Sequence, residues 1–128
     1  MEAYQNKKKL AKFLKSNRKN KIRIWNRWKK IIDNKRINLD LSELYLSELN
    51  LRNINLYYTN LNNTDLIKAD LCCADLCCAD LYKANLSGAD LSDAYLRNAD
   101  LRSADLINAD LSDAKFWNKN IRRKKCSY

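Results

Sequence analysis

Between residues 41 and 121 an apolar side chain falls on every fifth position: Leu41, Leu46 and so on to Leu111, then Phe116 and Ile121. Two places before each stands a second inward candidate. These are Leu39, Leu44, Leu49, Ile54, Thr59 and Thr64, then an Ala at every fifth residue from Ala69 to Ala114. An α-helix turns about 100° per residue, so five residues carry the pattern about 140° past a full circle. No stripe forms that a helix could bury. In a flat strand five is an odd step, so successive Leu would face opposite sides. What remains is an extended chain that bends once every five residues. With the Leu position called i, positions i−2 and i then share the inward side, because strand side chains alternate. Every Asp, Glu, Lys and Arg from 40 to 115 falls on the outward positions i−1, i+1 and i+2.

A repeat this short predicts a solenoid, with coils stacked at roughly 4.8 Å through backbone hydrogen bonds. The run "ADLCC ADLCC ADLYK ANLSG ADLSD" resembles the A(D/N)LXX signature of the pentapeptide repeat proteins. The resemblance covers residues 39–121. It implies an all-β solenoid, a right-handed four-sided β-helix of about four coils, so a rod of about 20 Å. The early registers carry Leu39, Leu44, Leu49 and Ile54 where Ala stands later. These larger side chains are expected to fill the first coil and make a floor for whatever covers that end.

Upstream, "IWNRWKKII" places Ile24, Trp25, Trp28, Ile31 and Ile32 on one helical face, with Arg27, Lys29 and Lys30 off it. Leu10, Phe13 and Leu14 predict a shorter helix, ending at a break near Ser16 and Asn17. Together they read as an α-helical cap over the open hydrophobic end of the coil. The organisation expected is a basic N-terminal cap over 1–36, a repeat domain over 37–121 and a basic tail over 122–128. At the far end Lys119 takes an i−2 position, and Phe116, Trp117 and Ile121 either seal the solenoid or meet a second copy. The family resemblance implies a homodimer through this end.

Charge divides along the same lines. Residues 1–36 carry 14 Lys and Arg against Glu2 and Asp33; residues 37–114 carry 5 against 13 acids; residues 115–128 carry 6 and no acid. The net charge of +10 hides an acidic body between basic ends. No run of about 18 apolar residues is present, so no membrane span is predicted. No export signal opens the chain. With five cysteines, an odd count, the expectation is free thiols in a reducing cytoplasm.

Little chemistry is offered. The chain has no His, which removes His-dependent triads and His metal sites. There is no Gly-rich phosphate loop. No catalytic, cofactor-binding or metal-binding residue is assigned, no cofactor is called for, and the chain is read as not an enzyme. The tempting cluster is Cys72, Cys73, Cys77 and Cys78, but Cys72 and Cys77 would stand on adjacent walls and point apart, which disfavours a tetrahedral zinc site.

If a coil takes about twenty residues, Asp70, Asp90 and Asp110 form one acidic column, with Asp93 and Asp113 beside it. Tyr57, Cys77, Arg97 and Trp117 form another. Asn62, Tyr82, Arg102 and Arg122 form a third, with Lys83 and Arg123 alongside and Tyr82 placed for a cation–π contact with Arg102. Like charges at this spacing repel, so the Asp column needs local hydrogen bonds or a partner. The leading reading is a non-catalytic protein-interaction module or scaffold with an unidentified protein partner. The alternatives are a DNA mimic that binds DNA gyrase or another type II topoisomerase, as in one branch of the family, and a binder of nucleic acid or acidic surfaces through the basic ends.

Overall fold

The computed structural model describes residues 2–35 and 37–116. Two helices, α1 (Glu2–Lys15) and α2 (Lys21–Asn34), precede the repeats. The repeats themselves contain almost no regular strand: β1 (Leu39–Asp40) pairs in parallel with β2 (Thr59–Asn60). Beyond these, parallel bridges of single residues join positions 20 apart, from Tyr45↔Asp65 to Tyr95↔Lys115. Twenty residues per coil is four repeats, so each coil has four walls.

Most bends are hydrogen-bonded turns. The N–H of Ile54 donates to the carbonyl of Leu51 at 3.1 Å, and the same i+3 to i bond recurs along the repeats. Position i+2 has positive φ at every fifth residue from Glu43 to Asp113, which is the signature of a type II turn. Fourteen of these residues are not glycine; only Gly88 is. Between coils, the N–H of each Leu donates to the i−1 carbonyl one coil ahead, as Leu71 does to Asp90 at 2.7 Å. The i−1 N–H donates backwards, as Asp75 does to Ile54 at 2.9 Å. The chain bends without the usual Gly and Pro because this ladder holds the corners from Glu43 to Asp93 against their left-handed cost of about 1–2 kcal/mol.

The inward pairs form one core. Leu41 through Leu96 are buried at every register, with Ile54, Thr59 and Thr64 and then Ala69 to Ala94 at i−2. Thr64 keeps its hydroxyl satisfied by donating to the carbonyl of Leu41 at 3.1 Å. Leu44 and Leu49 are half-buried and pack on this core together with Leu10, Phe13, Ile22 and Trp28 of the helices. The large side chains of the first coil therefore meet the helical cap, as the floor expected there would.

The cap differs from its sequence reading in two ways. The helices are equally long, at 14 residues each. The buried face of α2 is centred on Trp25 and Lys29, while Ile24 and Ile31 lie 48% and 55% exposed. Lys29 goes inward because it meets two acceptors there, the Asp33 carboxylate and the Tyr57 carbonyl. The two isoleucines flank the outward face instead.

Candidate interaction surfaces

At the N-terminal edge, the first coil has no coil before it, so its backbone groups lack their usual partners. Along one wall α2 supplies them. The indole N–H of Trp25 donates to the carbonyl of Asn55 at 2.8 Å. The side-chain oxygen of Asn26 accepts the N–H of Asn55 at 2.7 Å, while its amide donates to the Asn53 carbonyl at 2.8 Å. Lys29 fills the Tyr57 carbonyl. Burial pulls the Lys29 pKa down, and hydrogen bonding and charge from Asp33 resist that pull. On another wall Lys7 donates to Ser42 Oγ at 2.9 Å and lies 3.7 Å from Asp40. Phe13 stacks on Trp25 at 6.5 Å, and Trp28 meets the Trp25 ring edge-on at 5.3 Å.

The acidic column stands where expected: Asp70, Asp90 and Asp110 are joined by successive bridges. Its carboxylates are engaged locally. Asp70 accepts the N–H of Cys72 at 3.0 Å, Asp90 that of Ser92 at 2.9 Å, and Asp110 that of Ser112 at 2.9 Å. Ser92 and Ser112 add their hydroxyls to the same oxygens. The pattern is general. At thirteen i−1 positions an Asp or Asn oxygen accepts the N–H two residues on, at 2.9–3.2 Å. These are Asx turns, and they explain why i−1 holds Asp and Asn interchangeably. Among the described residues the exceptions at i−1 are Tyr45, Tyr95 and Lys115. Lys115 lies 2.9 Å from Asp93 and sits over the Tyr95 ring at 4.9 Å.

The aromatic and basic corner is present too. Tyr82 and Arg102 stack through the ladder, with the guanidinium 5.8 Å from the ring centroid and Lys83 at 5.1 Å. Arg102 also grips Asp100, at 2.7 Å to one oxygen and 2.9 Å to the other. Its hydrogen bonds hold the Asp100 carboxyl down to about 2. In the next column the Tyr57, Cys77 and Arg97 register is confirmed by coil-to-coil hydrogen bonds. Trp117, Arg122 and Arg123 lie outside the described residues, as do Lys119, Ile121 and the expected basic tail.

Among the described residues Cys72, Cys73 and Cys77 are free thiols. Cys72 is buried, and its sulfur lies 3.4 Å from that of Cys73. Burial, with the Asp75 charge next, pushes the Cys77 thiol up to about 11, and the Cys72 hydrogen bond raises that of Cys73. Raised thiols are poor ligands and nucleophiles near neutral pH. No cluster of three metal-binding side chains occurs among the described residues.

The sequence model for pentapeptide repeats matches eight copies over residues 38–71 and 79–118. That is more than half of the chain, and the chain belongs to the pentapeptide repeat family. It is similar to a pentapeptide repeat protein, Rfr23, from the cyanobacterium Cyanothece 51142, with 38% identity, a TM-score of 0.55, and 56% of this chain matched to 48% of that one. It is also similar to a pentapeptide repeat protein from the thylakoid lumen of Arabidopsis thaliana, with 31% identity, a TM-score of 0.61, and 63% of this chain matched to 56% of that one. The chain thus spans about half the length of the structures it matches. No curated protein matches it at a comparable level. The likeness identifies the solenoid as a right-handed β-helix. No described helix is long and apolar enough to cross a membrane.

Proposed function

We propose that this protein is a non-catalytic interaction module, a rigid rod of about four coils whose contact surface is the Tyr82, Lys83 and Arg102 corner. One observation carries the reading. The Asp and Asn at i−1 are committed to the fold's own Asx turns, whereas the Tyr82 corner presents an aromatic ring beside two cations, Lys83 and an Arg102 held in place by Asp100. Tyr and Arg are the side chains that anchor protein interfaces most often. The Asp column supports no separate mimicry of DNA, because its carboxylates already have the backbone donors that explain them.

A second contact point is the far end. Leu101, Leu106 and Leu111 are half-buried, where Leu81, Leu86 and Leu91 one coil earlier are fully buried. Phe116 is 51% exposed beside them. This apolar end suits a second copy of the chain, and equilibrium sedimentation tests that: a monomer at all concentrations would remove the dimer. The corner is tested by cross-linking the intact chain to proteins of its own cells. Tyr82→Ala with Arg102→Ala should abolish the cross-linked species. Unchanged cross-links would move the contact surface elsewhere. Three free thiols among the described residues support a cytoplasmic setting. Thiol counting on protein isolated under acid quench tests it.

A further inference from the structure

We infer that the helical cap is a separate, electrostatic docking surface for the phosphate backbone of nucleic acid. The inference stands apart from the Tyr82 corner and does not depend on it.

The sequence makes the N-terminal segment basic; the fold decides where that charge points. On α2 the side turned to the solenoid carries Trp25 and Lys29, and the opposite side carries Arg23, Arg27 and Lys30, all exposed. These three follow i, i+4, i+7 spacing, so they form one stripe running roughly 10 Å along the axis. On α1, Leu14 is buried while Lys12 and Lys15 are exposed one turn apart. The connection between the helices adds Arg18 and Lys19, also exposed. Arg18, Lys19, Lys21 and Arg23 line a cleft of about 380 Å³ that reaches Asn50 of the first coil.

Little within the cap neutralises this charge. Glu2 and Asp33 are its two acids, and Asp33 is taken by Lys29. The first turn of α2 holds no acid, and Asn20 makes no side-chain cap to its free N–H groups. On the solenoid side Asp40 meets Lys7 of α1, while Arg23, Arg27 and Lys30 on the outward side of α2 are exposed and form no described ion pair. Like-charged side chains spread over two helices and a turn repel one another unless a polyanion lies across them.

The physical form of the charge selects the partner. A basic helix that binds a membrane buries its apolar face in the lipid. Here the main apolar faces are already spent on the core: Leu14 and Trp25 are fully buried, and Leu10, Phe13, Ile22 and Trp28 pack against the same cluster. Ile24 and Ile31 remain exposed on α2 alone, whereas the cations continue through the turn onto α1. A surface that is broad, cationic and poor in apolar anchors fits phosphodiester oxygens, whose recognition rests on charge and counterion release. Among the described residues Arg23, Arg27 and Lys30 are exposed and carry no hydrogen bond that would fix them for reading base edges, so the binding is independent of sequence.

The test uses the full-length chain and a fluorescein-labelled random duplex of about 20 base pairs, followed by anisotropy from about 50 to 200 mM salt. Binding is expected at the low end, with affinity falling by about 1,000-fold across the range if six phosphates are engaged. Arg23→Glu, Arg27→Glu and Lys30→Glu together should weaken binding at least tenfold and make the salt slope shallower by about 3. The wild-type circular dichroism spectrum should persist, since all three side chains are exposed. Two controls keep the result specific: Lys68→Glu with Lys83→Glu on the solenoid, and glutamine at Arg122, Arg123, Lys124 and Lys125. Both should bind duplex with nearly wild-type affinity. No binding at low salt would overturn the inference. So would loss of binding in the tail variant alone, which would assign the contact to the tail. Binding to phosphatidylserine vesicles without binding to duplex would replace it with a membrane surface.

Discussion

The indole N–H of Trp25 donates to the carbonyl of Asn55 at 2.8 Å, in the position a backbone N–H would take if another coil preceded the first. Asn26 and Lys29 complete the substitution along that wall. One face of α2 thus ends a backbone ladder as well as covering an apolar floor. An uncovered strand edge invites pairing with another chain. A helix that offers polar side chains in register with the ladder closes it.

Asn26→Ala should therefore cost about 1–2 kcal/mol, because it leaves the half-buried Asn55 N–H without its acceptor. Trp25→Phe, which loses the donor and leaves a cavity where the second ring stood in the core, should cost about 2–3 kcal/mol. Urea denaturation followed by circular dichroism measures both. Equal stability to wild type in Asn26→Ala would mean that the edge does not need its partner.

Lys29→Met should destabilise by about 3 kcal/mol, since it leaves the Asp33 carboxylate and the Tyr57 carbonyl without their donor. Adding Asp33→Asn should recover part of that loss by removing the stranded charge. A double-mutant cycle in thermal melts reads the coupling. Additive effects would contradict the pairing.

The Asx turns make a prediction about charge as well as geometry. Asp75→Asn keeps an oxygen for the Cys77 N–H and should be nearly neutral; Asp75→Ala loses it and should cost about 1 kcal/mol. Asp75→Asn also removes one of the influences raising the Cys77 thiol, so alkylation of Cys77 should become faster at pH 9. The sign for stability follows from proton binding. The folded thiol, with a pKa of about 11, holds its proton when the unfolded one has released it, so this group's stabilisation falls as pH climbs from 9 towards 11.

Gly88 is the one glycine at a corner, with φ of +66°, and a Cβ there would lie 3.3 Å from Lys68 Cγ. Gly88→Val should cost about 2 kcal/mol, from the left-handed backbone and the crowding together. Lys83→Gly, at an open left-handed corner, should be neutral or stabilising by up to about 1 kcal/mol. Opposite signs at the two corners are the check. A loss of stability in Lys83→Gly equal to that of Gly88→Val would contradict the turn assignment.

Much of the core was legible because the period of five sorts side chains by chemistry: Leu71, Ala74 and Leu76 point inward, and the acids between them do not. The stacking columns followed by counting twenty, and Tyr82 and Arg102 meet as that count requires. What could not be read was polar matter with a structural task. Lys29 looked like surface because hydropathy assigns ammonium groups to water, and the two acceptors waiting for it come from distant residues. The Asp70, Asp90 and Asp110 column was expected to need local hydrogen bonds or a partner, and the backbone N–H groups two residues on supply the hydrogen bonds. The left-handed corners were hidden for a related reason. Glu43, Lys68 and Cys73 carry no turn preference of their own, and the coil-to-coil ladder sets their backbone.

Residue-resolved amide hydrogen exchange tests the central claim most directly. If side chains of α2 stand in for a missing coil, the Asn55 amide should be protected as strongly as the Asp75 amide one coil on, whose acceptor is a backbone carbonyl. Asn26→Ala should then expose Asn55 and leave Asp75 slow. Rapid exchange at Asn55 in the unaltered protein, or parallel loss of protection at both sites in the variant, would contradict the account.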